Sequence, residues 1–153
     1  MAISTQDPVL AWRRVANAMH SLKPSTQLVL RAIKSWLVQQ GSNPDLQFVP
    51  FDYLSASETV IADAAHKVYV LVLQKHNTAT ATFSKYTDSA TTSSDDSADL
   101  VIKQNVAKSE AVLFFNTGLA MANGGTMQGN TTASGGTSSG ADAANGFVLL
   151  GAA

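Results

Sequence analysis

The sequence predicts a mainly β protein, an antiparallel sandwich or barrel of short strands, preceded by an N-terminal segment of two helices. Three observations predict it. Apolar residues between Pro8 and Gly41 recur at intervals of three and four, the spacing of one helix face. Beyond Asp45 they alternate singly or run on for four to eight residues, as in strands. Between these runs stand turn clusters such as His76-Asn77, Thr87-Asp88-Ser89, Ser93 to Asp96, Asn116-Thr117-Gly118 and Asn123-Gly124-Gly125.

The elements follow in order. Asp7-Pro8 starts a helix, because Asp accepts first-turn amides and proline at the first helical position donates none that would be missed. Ala11, Trp12, Val15, Ala18, Met19 and Leu22 share its apolar face, opposite Arg13, Arg14, Asn17, His20 and Ser21. Lys23-Pro24 ends it, and Ser25 is placed to cap a second helix with Val29, Leu30, Ile33, Trp36 and Leu37 on its apolar face and Gly41 just past its end. This pair either packs on the chain's own β region or docks as an arm on a neighbour. Ser42-Asn43-Pro44-Asp45 marks a boundary between a helical segment, 1–43, and a β domain, 44–153.

Within the β domain, Leu46 to Pro50 alternates, and Pro50 restricts it to a sheet edge. Thr59 to Ala62 is a short strand. Lys67 to Gln74 is a strand whose apolar residues, Val68 to Leu73, run without a break, as expected of a central strand buried on both faces. Thr80 to Tyr86, Leu100 to Ile102, Ala111 to Phe115, Thr126 to Thr132 and Phe147 to Leu150 complete the set. The Gly/Ser/Thr stretch from Asn130 to Asn145 reads as a mobile loop or one held by a partner.

Composition narrows the function. The chain has 153 residues, enough for one domain with a core. Charged residues make up 14%, below the ~25% usual in soluble domains. From Ala111 onward the only charged side chain is Asp142, and an uncharged surface is poorly protected against association. Net charge is −1, so nothing global points to nucleic acid or membrane. Its distribution is uneven. Residues 1–41 carry Arg13, Arg14, Lys23, Arg31 and Lys34 against Asp7 alone, and acids outnumber bases in the remainder. There is no cysteine, no signal-peptide pattern and no apolar run near the ~20 residues that span a bilayer. The chain reads as made and kept in the cytosol until it is assembled.

Catalytic and cofactor patterns are missing. His20, His66 and His76 have no metal-pair spacing, and neither a Gly-x-Ser-x-Gly elbow nor a phosphate-cradling Gly-rich loop occurs. Asp95, Asp96 and Asp99 form the one dense carboxylate cluster, a calcium candidate without EF-hand spacing. An enzymatic site built from His76, Asp95 and Asp99 would lack a nucleophile–base arrangement. The expectation is a protein that is not an enzyme and takes no cofactor.

Two blocks carry a resemblance. Lys67-Val68-Tyr69-Val70-Leu71-Val72-Leu73-Gln74, the Asn77 to Ala81 turn and the returning Thr82-Phe83-Ser84-Lys85-Tyr86-Thr87-Asp88 form the first. Leu113-Phe114-Phe115, Gly118, Asn123-Gly124-Gly125, the Thr-rich run to Thr132 and the closing Gly146-Phe147-Val148-Leu149-Leu150-Gly151 form the second. Residues 60 to 153 resemble small β-sandwich virion proteins of tailed bacteriophages, the capsid decoration or cement proteins; the helical third lies outside the resemblance. It implies a jelly-roll-like sandwich, a homotrimer in the virion, the major capsid protein as partner, and a mechanical role in stabilising the shell. The alternative is a tail, neck or head-fibre component that contacts host surface glycans. Candidate interface residues are Trp12, Arg13, Arg14, Trp36, Asn123, Gly124, Gly125, Asn130 and Asp142.

Overall fold

The computed structural model describes residues 8–39, 45–52, 59–75, 81–91, 99–130 and 144–153. Over these the chain forms helix α1 (Pro8–Ala18), a 3-10 turn (Met19–Ser21), helix α2 (Pro24–Gln39), and strands β1 (Leu46–Phe51), β2 (Thr59–Ala62), β3 (His66–Lys75), β4 (Thr82–Thr87), β5 (Leu100–Gln104), β6 (Glu110–Met121), β7 (Gly125–Asn130) and β8 (Ala144–Ala152). The protein is mainly β, with two antiparallel four-stranded sheets ordered β1-β8-β3-β6 and β2-β7-β4-β5. The pairings nest: β1 with β8, β2 with β7, β3 with β6 and β4 with β5. β3–β8 and β4–β7 contacts complete the two sheets.

The molecule has three layers and two cores. The helices cover one face of the β1-β8-β3-β6 sheet, α1 against β1 and α2 against β6. There Ala11, Trp12, Val15, Met19, Leu22, Leu30, Ile33 and Leu37 pack on Leu46, Val70, Val72, Phe147 and Leu149. The other face of that sheet meets the second sheet, with Val68, Leu71, Leu73, Val148 and Leu150 against Ile61, Ala62, Tyr86 and Met127. β3 and β8 therefore have both faces buried. That is why Val68 to Leu73 and Phe147 to Leu150 are apolar at successive positions, whereas a half-exposed strand alternates. Each fully buried Leu, Val or Phe in these strands contributes about 1.5–3 kcal/mol. The missing charge of Gly146 to Leu150 follows from burial inside the chain, without any partner.

Register in β3 is shifted at Tyr69, which lies between Val68, paired with Leu150, and Val70, paired with Leu149. One extra residue reverses which side chains face which core. Val68 accordingly faces the second sheet while both Tyr69 and Val70 reach the helix side. β6 carries the compensating irregularity. Asn116-Thr117-Gly118, expected as a separator, lies within one twelve-residue strand, and Gly118 takes φ +79°. A Cβ at Gly118 would stand 2.9 Å from Lys67 Cβ, so the bulge needs glycine for both its conformation and its space. Pro50 sits on β1, an edge strand, as its missing amide requires.

The helices pack on their own chain. The α1 face matches expectation, with Ala11, Trp12, Val15, Met19 and Leu22 buried and Ala18 partly so. The α2 face is narrower than expected: Thr26, Leu30, Ile33 and Leu37 are buried, while Val29 and Trp36 stay exposed. The start of α2 also differs. The helix begins at Pro24, and the Glu110 carboxylate at the head of β6 caps it. It accepts from the Lys23 amide (2.9 and 3.2 Å), the Thr26 hydroxyl (2.6 Å) and Gln74 Nε2 (3.0 Å). A carboxylate at a helix N-terminus also meets the positive end of the helix dipole. Gln27 Nε2 donates to the carbonyls of Met19 (2.9 Å) and Leu22 (3.0 Å), which fixes the corner between the helices.

Candidate docking surface

The helical layer presents a surface that folding does not account for. Of the nine large apolar residues left exposed among the described residues, six lie in the helices: Val9, Leu10, Leu28, Val29, Trp36 and Val38. Trp36 is 45% exposed and Val29 47%, two helical turns apart on one flank of α2. Helix propensity needs no apolar residue at these places, and clustered exposed apolar groups mark interaction surfaces. The same layer holds Arg13, Arg14, Lys23, Arg31 and Lys34 and not one acid between Pro8 and Gln39. These side chains are exposed, so the helical layer carries both positive charge and exposed apolar groups.

Between α1 and α2 lies a groove of about 320 Å³. Trp12, Ala16, Met19 and Leu30 give it apolar walls, and Arg31, Lys34, His20, Asn17 and Gln27 give it polar ones. Trp12 is buried, and its indole Nε1 has no hydrogen-bond acceptor among the described residues. An unpaired buried donor carries a desolvation cost of about 1–3 kcal/mol.

A second cluster closes the far end of the sandwich. The His66 ring lies in the core, with Nδ1 2.9 Å from the Ala64 carbonyl and Nε2 2.7 Å from the Tyr86 hydroxyl. A carbonyl only accepts, so Nδ1 carries the proton and Nε2 accepts from Tyr86. Burial holds the His66 pKa below its ordinary value, outweighing the opposite pull of the Ala64 carbonyl and the Asp88 charge. Burial and the same charge push the Tyr86 phenol upward. Asp88 accepts from three consecutive amides of the β6–β7 turn: Ala122 (2.9 Å), Asn123 (2.7 Å) and Gly124 (3.2 Å). Burial raises the Asp88 pKa, but those amides and His66 together prevail and hold it below the usual carboxylate range. Beside it is an open polar hollow of about 610 Å³ lined by Thr87, Ser89, Thr91, Asp99 and Asn123. Every group of this cluster has a structural bond to satisfy, and its chemistry is that of a latch between β3, β4 and the β6–β7 turn.

The structure separates the residues singled out in the sequence. Arg13, Arg14 and Trp36 lie on the helical surface, and Asn123 is exposed at the β6–β7 turn. Trp12 is 5% exposed: it shares the α1 face of Ala11 and Val15 that seals the helical core, and it meets the surface only where it lines the groove. Gly124 and Gly125 are also interior. A Cβ on Gly125 would collide with the Tyr86 hydroxyl, so glycine there serves the latch and not a partner. Asn130 ends β7 with its side chain outside the described residues, and Asp142, His76, Asp95 and Asp96 lie outside them altogether. Asp99 accepts the Asp88 amide at 2.7 Å.

No protein-family model, curated protein or solved structure matches this chain. The geometry is therefore the guide to function. Helical spacing alone puts Val29 on the apolar face of α2 and does not single out Leu28 or Val38. The signal was present: the apolar residues of α2 run all round the helix, more than one face can bury. Among the described residues no helix is long and apolar enough to cross a membrane.

Proposed function

We propose that this protein is a structural component of a tailed-bacteriophage virion, a decoration or cement protein with a jelly-roll β domain that stabilises the capsid shell. The nested pairing carries the reading. Each of the eight strands pairs with its counterpart counted from the other end, the order made by folding one long antiparallel hairpin round on itself. Two-sheet, eight-strand folds of this kind serve capsid proteins and lectins. The resemblance of residues 60–153 to small virion proteins points the same way. The cationic, apolar helix face supplies the contact to the major capsid protein, and the chain acts as a homotrimer. Repetition over a symmetric shell turns weak contacts into strong holding through avidity. The role is mechanical and uses no catalytic group and no cofactor.

Two measurements test it. Light scattering after size exclusion should give three times the mass of one chain. Purified chain should co-sediment with phage particles stripped of it. A stable monomer that binds no particle overturns the reading.

The polar hollow beside Asp88, rich in Ser, Thr, Asn and Asp groups, favours a second reading, a tail, neck or head-fibre component that contacts host glycans. Copy number separates the two: cement is present at hundreds per particle and a fibre at roughly tens or fewer, as symmetric assembly requires.

A further inference from the structure

We infer that the groove between α1 and α2 seats a partner-protein segment that places an acidic residue beside an apolar one. This deepens the proposed docking role of the helix face and rests on it. The apolar side chain lies over Trp12, Met19 and Leu30, and the carboxylate bridges Arg31 and Lys34. Three observations converge on that chemistry. The groove, about 320 Å³, is at the small end of ligand pockets, which span roughly 300–1,000 Å³, so it takes one or two side chains and not a whole helix. Arg31 and Lys34 stand one turn apart on the same wall and have no ion-pair partner among the described residues. The layer has no acid of its own between Pro8 and Gln39 to neutralise them. A carboxylate shared by a guanidinium and an ammonium accepts charge-assisted hydrogen bonds from both, and the apolar floor beside them favours an anion carried next to an apolar side chain.

The chain has two tryptophans, one in the groove and one on the outer flank of α2, so the two indole N–H signals of the ¹⁵N-labelled protein report groove and surface separately. Titration with N-acetyl-Leu-Glu-amide should move the Trp12 signal saturably and leave Trp36 in place. N-acetyl-Leu-Gln-amide should bind about tenfold more weakly or worse, as loss of one charged hydrogen-bonded pair implies. The double variant Arg31→Gln, Lys34→Gln should keep its melting temperature and lose the response. A Trp12 signal that stays still at saturating peptide overturns the inference. So does equal binding of the Gln peptide, or an equal response to phosphatidylserine vesicles or duplex DNA, which would mean attraction to charge alone. Particle co-sedimentation is read separately. If the double variant binds particles as the parent does, the groove inference fails and the virion role stands. If the parent binds no particle while the Trp12 titration succeeds, the virion role fails and the groove stands.

Discussion

Strands β3 and β8 contribute one face to each of two cores, and different chemistry closes the two. The helix-side core is closed at its edge by one carboxylate, Glu110, which joins the start of α2 to β3 and β6. The inter-sheet core is closed by the neutral His66–Tyr86 pair and by Asp88 across the β6–β7 turn. The first closure ties helices to a sheet that already has its strand partners. The second ties the two sheets to each other. Damage at Glu110 should therefore loosen a layer, whereas damage at His66 or Tyr86 should weaken the sandwich itself.

The largest break comes from Ile33→Asp. Ile33 is 6% exposed in the helix-side core. An uncompensated carboxylate there costs several kcal/mol or forces the helices off the sheet. Helical circular dichroism of the isolated chain should fall sharply while the β signal remains. Full retention of helix would mean the helices do not need their own sheet.

Glu110→Ala ranks next. It leaves the Lys23 amide, the Thr26 hydroxyl and Gln74 Nε2 without their acceptor, and should cost about 1–3 kcal/mol. Hydrogen exchange should quicken in α2 and its corner far more than in β4 or β7. Uniform quickening would show that the two cores open as one unit.

Tyr86→Phe tests the other closure. It removes the donor to His66 Nε2 inside the core and should cost about 1–2 kcal/mol, seen as a lower denaturation midpoint with exchange quickened in both sheets. The same pair makes the inter-sheet core sensitive to acid. The folded pKa of His66 lies below the unfolded value of 6.5, so the unfolded chain takes up the proton first. Stability from this group is complete above about pH 6.5 and is lost as pH falls from there through the folded pKa, at no more than about 1.4 kcal/mol per pH unit. His66→Gln should flatten that part of the curve. An unchanged slope between pH 6.5 and 5 would assign the acid sensitivity to another group.

How much of this was legible follows from distance along the chain. Local pattern sufficed for α1, for Pro50 at an edge, for β8 as a strand and for β3 as a central one, because burial on two faces leaves an unbroken apolar run. It misjudged Asn116 to Gly118, since a bulge and a turn ask for the same residues and only the partner strand tells them apart. The Glu110 cap and the Asp88 latch join residues 84 to 87 and 34 to 36 positions apart, which no local window contains. The groove needed two helices set side by side. Val29 and Trp36 share the apolar side of α2 in the sequence pattern with Leu30, Ile33 and Leu37, and only the packed sheet shows which of these the core takes.

That flank carries the smallest expected effect on stability. Val29 and Trp36 lie on the flank of α2, and neither belongs to the helix-side core. Changing both to Ser should alter unfolding free energy by no more than about 0.5 kcal/mol for each, the usual range for surface positions. If the flank is the docking face, the same double variant should lose particle binding with its melting temperature unchanged. The Glu110→Ala variant should show the opposite pattern, with a lower melting temperature and binding retained wherever the helices remain in place. A double variant that binds normally would confine docking to the groove, and one that melts early would show that the flank is held by contacts within the chain.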